Sequence, residues 1–432
     1  MLQKIKITGL FDQFDYEIEL KPEGITILTG PNGYGKTTIL KAIYAFTQRN
    51  ILFLLDLPFS EMVLLHGEEE ISVAKESDDA LTIRYGNEEP IRINRRIITK
   101  GKKEFLPIAK DFVLKLQETD TDKSKDSTQD EKSFIGDLFK FLEEIKDLPS
   151  GKTDGFLREW EKRSFGAYFI REQRLLKRNP EGIPGEFLSD FSELTGEIKE
   201  VLEHSIEEYA KELSSRHIKD ALAEASKLNQ ELDGSFPERL FQESGSIDEQ
   251  EFNRRYDAVR QRQNALSQYG LSTTREGQQA SFKEENARAL RVYLDDTEKK
   301  LAVFDGLLER LEAFSSILDK KQFANKEIEI SPEFGFRFRT GDGKELPLTA
   351  LSSGEQQEVV LLYELLFKVE PGALVLIDEP ETSLHVAWQR EFLDDLSRIV
   401  KLRGIQVLLA THSPDIIGKY WDWVVDLWEI SQ

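Results

Sequence analysis

Gly30-Pro31-Asn32-Gly33-Tyr34-Gly35-Lys36-Thr37 follows the pattern Gly-x-x-x-x-Gly-Lys-[Ser/Thr], and its reading decides the rest of the chain. Before it stands Gly24-Ile25-Thr26-Ile27-Leu28-Thr29, an apolar run with the character of a short buried strand; after it, the residues from Thr38 to Phe46 have helical spacing. Strand, glycine-rich turn and helix are the context in which this pattern wraps nucleotide phosphates. Backbone N–H groups can converge on one anion only where no side chains intervene, and the following helix adds the positive end of its dipole. Asn32, Gly33, Gly35, Lys36, Thr37 and Thr38 are therefore expected to contact ATP, with Lys36 on the β and γ phosphates and Thr38 on the α phosphate. Thr37 is expected to offer its hydroxyl to Mg²⁺, a hard cation that takes oxygen ligands and arrives with the phosphates.

Much later in the chain, the apolar run Ala373-Leu374-Val375-Leu376-Ile377 ends in Asp378-Glu379-Pro380. Two carboxylates at a strand end can divide the work, Asp378 holding the metal directly or through water and Glu379 polarising the water that attacks the γ phosphate. An acidic pair after a buried strand is also an ordinary way for a strand to leave the core, and it is the phosphate loop that favours the chemical reading. Leu351-Ser352-Ser353-Gly354-Glu355-Gln356-Gln357 precedes a long apolar stretch. Ser353 followed by Gln356 reads as a capping box, which would start a helix without any ligand, although a capped helix N-terminus is itself an anion site. Val407-Leu408-Leu409-Ala410-Thr411-His412-Ser413-Pro414 gives another buried strand, ending in His412.

The order of these segments resembles the ABC-type ATPases. That resemblance implies that Ser353 and Gly354 contact the γ phosphate held by a partner subunit, and that His412 is the switch histidine. It also implies that Ser383, in Glu381-Thr382-Ser383-Leu384-His385, lies in a loop crossing the dimer interface, and that Gln173, in Tyr168-Phe169-Ile170-Arg171-Glu172-Gln173-Arg174, completes the metal shell. Gln173 reads equally as an ordinary polar residue at an exposed strand end. Taken together, the runs GPNGYGKTTILKAI, YFIREQRL, LSSGEQQEVVLLYELL, LIDEPETSLHVAWQ and LLATHSPDII are similar to the ABC-type ATPases of bacterial anti-phage systems, akin to the RecF and OLD groups. The chain stops soon after His412, so an OLD-type Toprim nuclease domain is not expected within it. The layout is most similar to the ATPase component of PARIS-type defence. This implies a homo-oligomeric cytoplasmic scaffold built from head dimers, a separate Toprim-type nuclease effector, and a phage-encoded trigger protein. The motifs cover residues 1 to about 115, 165 to 180 and 330 to 432.

A chain of 432 residues is long enough for two domains or for one large domain carrying an insertion. Its apolar runs fall short of the roughly 18 to 20 residues of a membrane span, so a transporter would need a separate membrane subunit. With no cysteine, disulfides, thiol catalysis and a cysteine zinc hook are excluded. The net charge of −22 repels nucleic acid at long range, so DNA binding as in a RecF-like repair ATPase would need a local basic patch. Arg92, Arg95, Arg96, Lys100, Lys102 and Lys103, or Arg171, Arg174, Lys177 and Arg178, could form one, or be solvated faces.

The remaining segments frame an α/β head, residues 1–180 and 328–432, around a helical insertion at 181–327. The opening IKITGLFDQFDYEIEL alternates as a hairpin, with more strands expected near Leu81 to Tyr85 and Ile91 to Ile98 to make an antiparallel layer; Phe11 and Phe14 could flank the adenine. Residues 118–132 are too polar to order themselves, and an amphipathic helix is expected from Phe134 to Ile145. In the insertion, Phe191, Leu194, Ile198 and Val201 begin a helical stripe that continues through Leu202, Ile206, Tyr209 and Leu213. Leu290, Leu294, Thr297, Leu301, Phe304, Leu308, Leu311 and Leu318 read as a coiled-coil seam on a helix from Lys283 to Lys321, about 58 Å long. Asp233-Gly234-Ser235-Phe236-Pro237 reads as the turn between the arms.

Overall fold

Leu374–Asp378 and Gln406–Ala410 are apolar at all but one position each and Ile25–Thr29 at three of five, runs that call for both faces to be covered. In the computed structural model, residues 1–95, 160, 165–170, 205–272, 282–321, 323, 326–382 and 384–431 are described. There these segments are neighbours in a 5-stranded parallel sheet of order Val424–Asp426, Ile25–Thr29, Gln406–Ala410, Leu374–Asp378, Ala167–Ile170. Successive side chains point to opposite faces, and the sheet thereby divides two cores. Leu28, Leu374, Leu376, Leu408 and Ala410 face the core shared with helix Lys36–Thr47. Ile27, Val375, Ile377, Val407 and Leu409 face the core shared with helices Ser353–Tyr363 and Val386–Arg403. Register pairs Asp378 with Ala410 and Ala410 with Leu28, so the phosphate loop, the acidic pair and Thr411-His412 all leave the sheet at the carboxyl ends of their strands. That edge is where open parallel sheets bind ligands.

The expected antiparallel layer is a 6-stranded sheet of order Phe14–Glu19, Leu2–Leu10, Glu61–His66, Glu69–Ser77, Ala80–Tyr85, Ile91–Asn94. Ile5, Ile7, Ile18, Leu64 and Val73 carry its buried face onto helix Lys36–Thr47. Residues 96–98 of the last expected strand, the polar segment 118–132, the helix expected from Phe134 to Ile145 and the stripe from Phe191 to Leu202 lie outside the described residues.

The insertion departs from expectation in two places. The presumed turn at Asp233 to Pro237 lies inside helix Lys219–Gln242. Proline in a helix lacks one donor and crowds the preceding turn. Around it Arg239 donates from Nη2 to the Leu232 carbonyl at 2.6 Å and to Asp296 Oδ2 at 2.8 Å, tying this helix to the one that carries Asp296, and Ser235 Oγ donates to the Glu231 carbonyl at 2.9 Å. The chain turns instead over residues 243–248, where Asp248 caps helix Glu249–Gln268 through the Glu251 N–H.

The second departure is that the long returning helix is two, Ala287–Ala302 and Asp305–Lys320. Asp305-Gly306 suits a first turn better than a helix interior, and Asp305 is further held by Arg262. Helix Ala287–Ala302 packs between Lys219–Gln242 and Glu249–Gln268, whereas Asp305–Lys320 packs on the head, against strand Lys326–Ser331 and the helices beginning at Ser353 and Val386. The seam residues are buried as read at Leu294, Leu301, Phe304, Leu308, Leu311 and Leu318, but they meet different partners on the two sides of the break.

At the foot of that second helix Lys321 is 1% exposed, with Nζ 2.8 Å from Asp395 Oδ2 and 3.8 Å from Glu358 Oε1. It ties the returning arm to both head helices. Removing one member of a buried ion cluster strands the others, so Lys321→Met is expected to lose about 3–5 kcal/mol of stability. Additional Glu358→Gln and Asp395→Asn replacements should recover much of it. Denaturant midpoints of the single and triple variants check this; a single variant as stable as wild type contradicts it.

Candidate nucleotide site

Gly30, Gly33 and Gly35 have φ of 134°, 89° and 85°. These values lie in the left-handed half of backbone space, where side chains are costly. A Cβ at Gly35 would also stand 2.9 Å from Leu10 Cδ2. Gly35 begins helix Lys36–Thr47 with no side-chain cap, which leaves the first N–H groups of the helix for an anion. Asn32 and Gly33 are exposed at the loop tip, and Thr38 is half-buried in the first turn.

Lys36 is 5% exposed, and its ammonium donates to the Gly30 and Pro31 carbonyls at 2.8 and 3.2 Å. Burial pulls its pKa down, and the carboxylates of Glu379 and Asp378 oppose that by favouring the charged form. Thr37 Oγ1 donates to Asp378 Oδ1 at 2.9 Å, so the two expected metal ligands, distant in sequence, meet in space. One hydroxyl and one carboxylate suit an octahedral Mg²⁺ that keeps its other positions for phosphate oxygens and water. Among the described residues there is no group of three or more His, Cys, Asp or Glu that could hold a metal ion.

Glu379 has φ of 43°, a left-handed conformation that costs a non-glycine residue about 1–3 kcal/mol. The turn is held by its N–H, which donates to the Ala410 carbonyl at 2.9 Å. Its Oε1 lies 3.7 Å from His412 Nε2, and both side chains are about a third exposed, at 33% and 36%. Lys36, Thr37, Asp378, Glu379 and His412 thus converge as the sequence suggests. Phe11 and Phe14 flank the loop as well. The turn Leu10 to Gln13 places Phe11 at φ 55°, with its Cε2 3.4 Å from the position a Gly35 Cβ would take. Phe14 packs on Tyr34 at 5.1 Å between ring centroids, and the Tyr34 carbonyl accepts from the Tyr16 hydroxyl at 2.8 Å.

In the segment Leu351 to Gln357 the helix cap lies one residue earlier than the sequence suggests. Ser352 is extended and caps helix Ser353–Tyr363; the box is completed by Glu355, whose Oε2 accepts from the Ser352 N–H at 2.8 Å. Gln356 donates instead to the Leu351 and Thr349 carbonyls. Glu355 fits because Lys326 pairs with its buried carboxylate at 2.7 Å, a contact Gln356 could not use. Ser353, released from capping, is exposed at the helix tip with Gly354 beside it. Gln173 and Ser383 lie outside the described residues.

Two acidic residues near the site escaped the sequence reading. Asp426 ends the edge strand Val424–Asp426 beside Ile25–Thr29, with Oδ1 3.5 Å from the position of a Gly30 Cβ, and it adds to the negative potential at Lys36. A short apolar pair ending in an acid was its only signal. Glu381 accepts from the His412 N–H and the Thr411 hydroxyl; its signal was its place between Glu379 and Ser383.

The family described as "AAA ATPase domain" (AAA_15) matches residues 1–417. The chain belongs to this family. Its fold is a P-loop ATPase-domain head with an antiparallel layer and inserted helices. UvrABC system protein A of Aquifex aeolicus (strain VF5) is 40% identical over 81 residues, and that of Escherichia coli (strain K12) is 39% identical over 79 residues. These stretches are 19% and 18% of this chain, and the chain spans only 8% of either relative's length. Among solved structures, the SMC head domain from Thermotoga maritima aligns over 96% of this chain and 90% of its own, at 13% identity and a TM-score of 0.35. The Pyrococcus furiosus Smc head domain bound to the C-terminal domain of ScpA aligns over 98% and 92%, at 12% identity and a TM-score of 0.33. Among the described residues no helix is long and apolar enough to cross a membrane.

Proposed function

We propose that two heads trap ATP and Mg²⁺ between the phosphate loop of one and Ser353-Gly354 of the other, and hydrolyse it there. The observation that carries this is the division of the site: Lys36, Thr37, Asp378, Glu379 and His412 are assembled within one chain, while Ser353 is exposed at an independently capped helix N-terminus. When bound, Mg²⁺ neutralises phosphate charge, held by Thr37 and Asp378 with Gln173 as a further ligand. Glu379 takes a proton from water as the water oxygen bonds to the γ phosphorus. The bond from that phosphorus to the β–γ bridging oxygen breaks, and ADP leaves with the electron pair. Lys36 and the loop N–H groups stabilise the charge that gathers on the phosphates. His412 hydrogen-bonds the γ phosphate and orients Glu379, and Ser383 contacts the partner across the interface.

In the cell we assign this ATPase the role of sensor and scaffold in cytoplasmic anti-phage defence, similar to AriA of the PARIS system. Head dimers within a larger homo-oligomer hold a separate AriB-like Toprim nuclease until a phage protein triggers its release. The motif resemblance supports this role. The alternative, a repair ATPase gated by DNA, loses part of its basic patch: Arg92 is engaged by Glu76, and Arg95 by Asp56 and Asp79. The test is purification of the tagged protein from its native operon, with mass spectrometry of what elutes and an assay for nucleic acid. A stoichiometric nuclease-like protein is expected; DNA with no protein partner overturns the defence reading in favour of repair.

A further inference from the structure

We propose that Glu381 is a positioning residue for hydrolysis, setting His412 against Glu379 through the backbone of the histidine strand. This rests on the reading of Glu379 and His412 as the hydrolytic pair.

The chain leaves the sheet at Glu379 in a left-handed turn and enters a 3₁₀ turn at Pro380–Thr382. Thr382 closes that turn on the Glu379 carbonyl, with its N–H at 3.2 Å and its hydroxyl at 2.8 Å. Glu381 consequently points back across the sheet edge. Its Oε1 accepts two hydrogen bonds there, from the His412 N–H at 2.7 Å and from Thr411 Oγ1 at 2.8 Å. A carboxylate accepting from a backbone N–H forms a charge-assisted bond, stronger and more directional than a neutral one.

Those two bonds belong to a closed ring. Thr411 Oγ1 also accepts from the Ser413 N–H at 3.0 Å, and Ser413 Oγ donates to Gln389 Oε1 at 2.9 Å. Gln389 Nε2 returns to the backbone that carries Glu381, donating to the Glu381 carbonyl at 3.2 Å and to that of Leu384 at 3.3 Å. Thr411 itself is fully buried and anchored to the sheet, its N–H on the Leu28 carbonyl. The ring therefore locks the segment after Glu379, the start of helix Val386–Arg403 and the end of the histidine strand into one unit. Linked bonds of this kind polarise one another, and losing one loosens the rest. Thr411 and Ser413 flank His412 in the chain, and Glu381 makes the ring's hydrogen bond to the His412 N–H itself, helping to set where that imidazole starts and its 3.7 Å separation from Glu379.

Steady-state ATP hydrolysis by the full chain with Mg²⁺ tests this. Glu381→Ala is expected to lower kcat by about 10- to 100-fold, the scale of a small misplacement of reacting groups, with little change in the KM for ATP. Glu381→Gln keeps an oxygen that can accept both bonds, and should restore kcat to within about threefold of wild type. Because Glu381 acts through His412, adding Glu381→Ala to His412→Ala should cost less than about twofold more. Three results would overturn the proposal: wild-type kcat in Glu381→Ala, a Glu381→Gln enzyme as inactive as Glu379→Gln, or losses that multiply in the double variant. If Glu381→Ala does not fold, Thr411→Val removes one donor at nearly constant volume, and wild-type kcat in that variant overturns the proposal instead. Failure of the underlying reading looks different: His412→Ala alone would then turn over ATP at the wild-type rate.

Discussion

Glu379→Gln binds ATP with wild-type affinity and hydrolyses it about 10²- to 10⁴-fold more slowly, the range by which a positioned general base accelerates a reaction. The substitution keeps shape and the left-handed turn at φ 43°. It removes only the ability to take a proton from water. The neighbouring groups do not substitute. Asp378 is committed to Thr37 at 2.9 Å, and Glu381 to the histidine strand. His412, 3.7 Å away, is on the proposed reading an orienting group that does not replace the carboxylate. Titration with a fluorescent ATP analogue and phosphate release by the same preparation separate binding from turnover. Full phosphate release in Glu379→Gln contradicts the assignment of the base.

Ser353→Arg is expected to leave ATP affinity within about twofold of wild type and lower turnover by about 10²- to 10³-fold, the cost of removing a donor aimed at transition-state charge. Within one chain Ser353 is exposed and its helix is started by Ser352 and Glu355, so the fold does not depend on it. A cation in the first turn opposes the helix dipole by only about 0.3–1 kcal/mol, a small shift in melting temperature. On the proposed shared site the functional loss is large because the long side chain would occupy the space into which a second head closes. Unchanged turnover in this variant argues against a shared site.

The features legible in the sequence are those dictated by local chemistry. Glycines at 30, 33 and 35 are required by backbone angles, and Asp378-Glu379 and His412 each end an apolar run whose both-face burial demands a central parallel strand. Three doubly buried strands ending in such residues can only bring them to one edge. The misreadings arise where tertiary partners outvote local preference. Gly234 and Pro237 signal a turn, yet the helix runs through both, and Arg239 ties it to Asp296 on a neighbouring helix. The seam from Leu290 to Leu318 holds its spacing with only Ser315 breaking register, but Asp305-Gly306 breaks the helix and the head claims its second half. Ser352 and Ser353 are equivalent as letters, and the buried Lys326–Glu355 pair selects the first as the cap. Lys321 enters the sequence reading only as the end of the returning helix, and packing shows it buried between Glu358 and Asp395.

Mixing two inactive variants tests the shared site most directly. Lys36→Ala loses the ammonium that meets the phosphates, so it binds nucleotide weakly; Ser353→Arg keeps its phosphate loop but offers no usable signature helix. In a mixed dimer, one of the two sites joins the intact loop of one chain to the intact Ser353-Gly354 of the other. Equal amounts of the two, dissociated and reassembled together, should recover about a quarter of wild-type hydrolysis, since half of the dimers are mixed and each has one complete site. A mixture as inactive as its two components contradicts the trapping of ATP between heads.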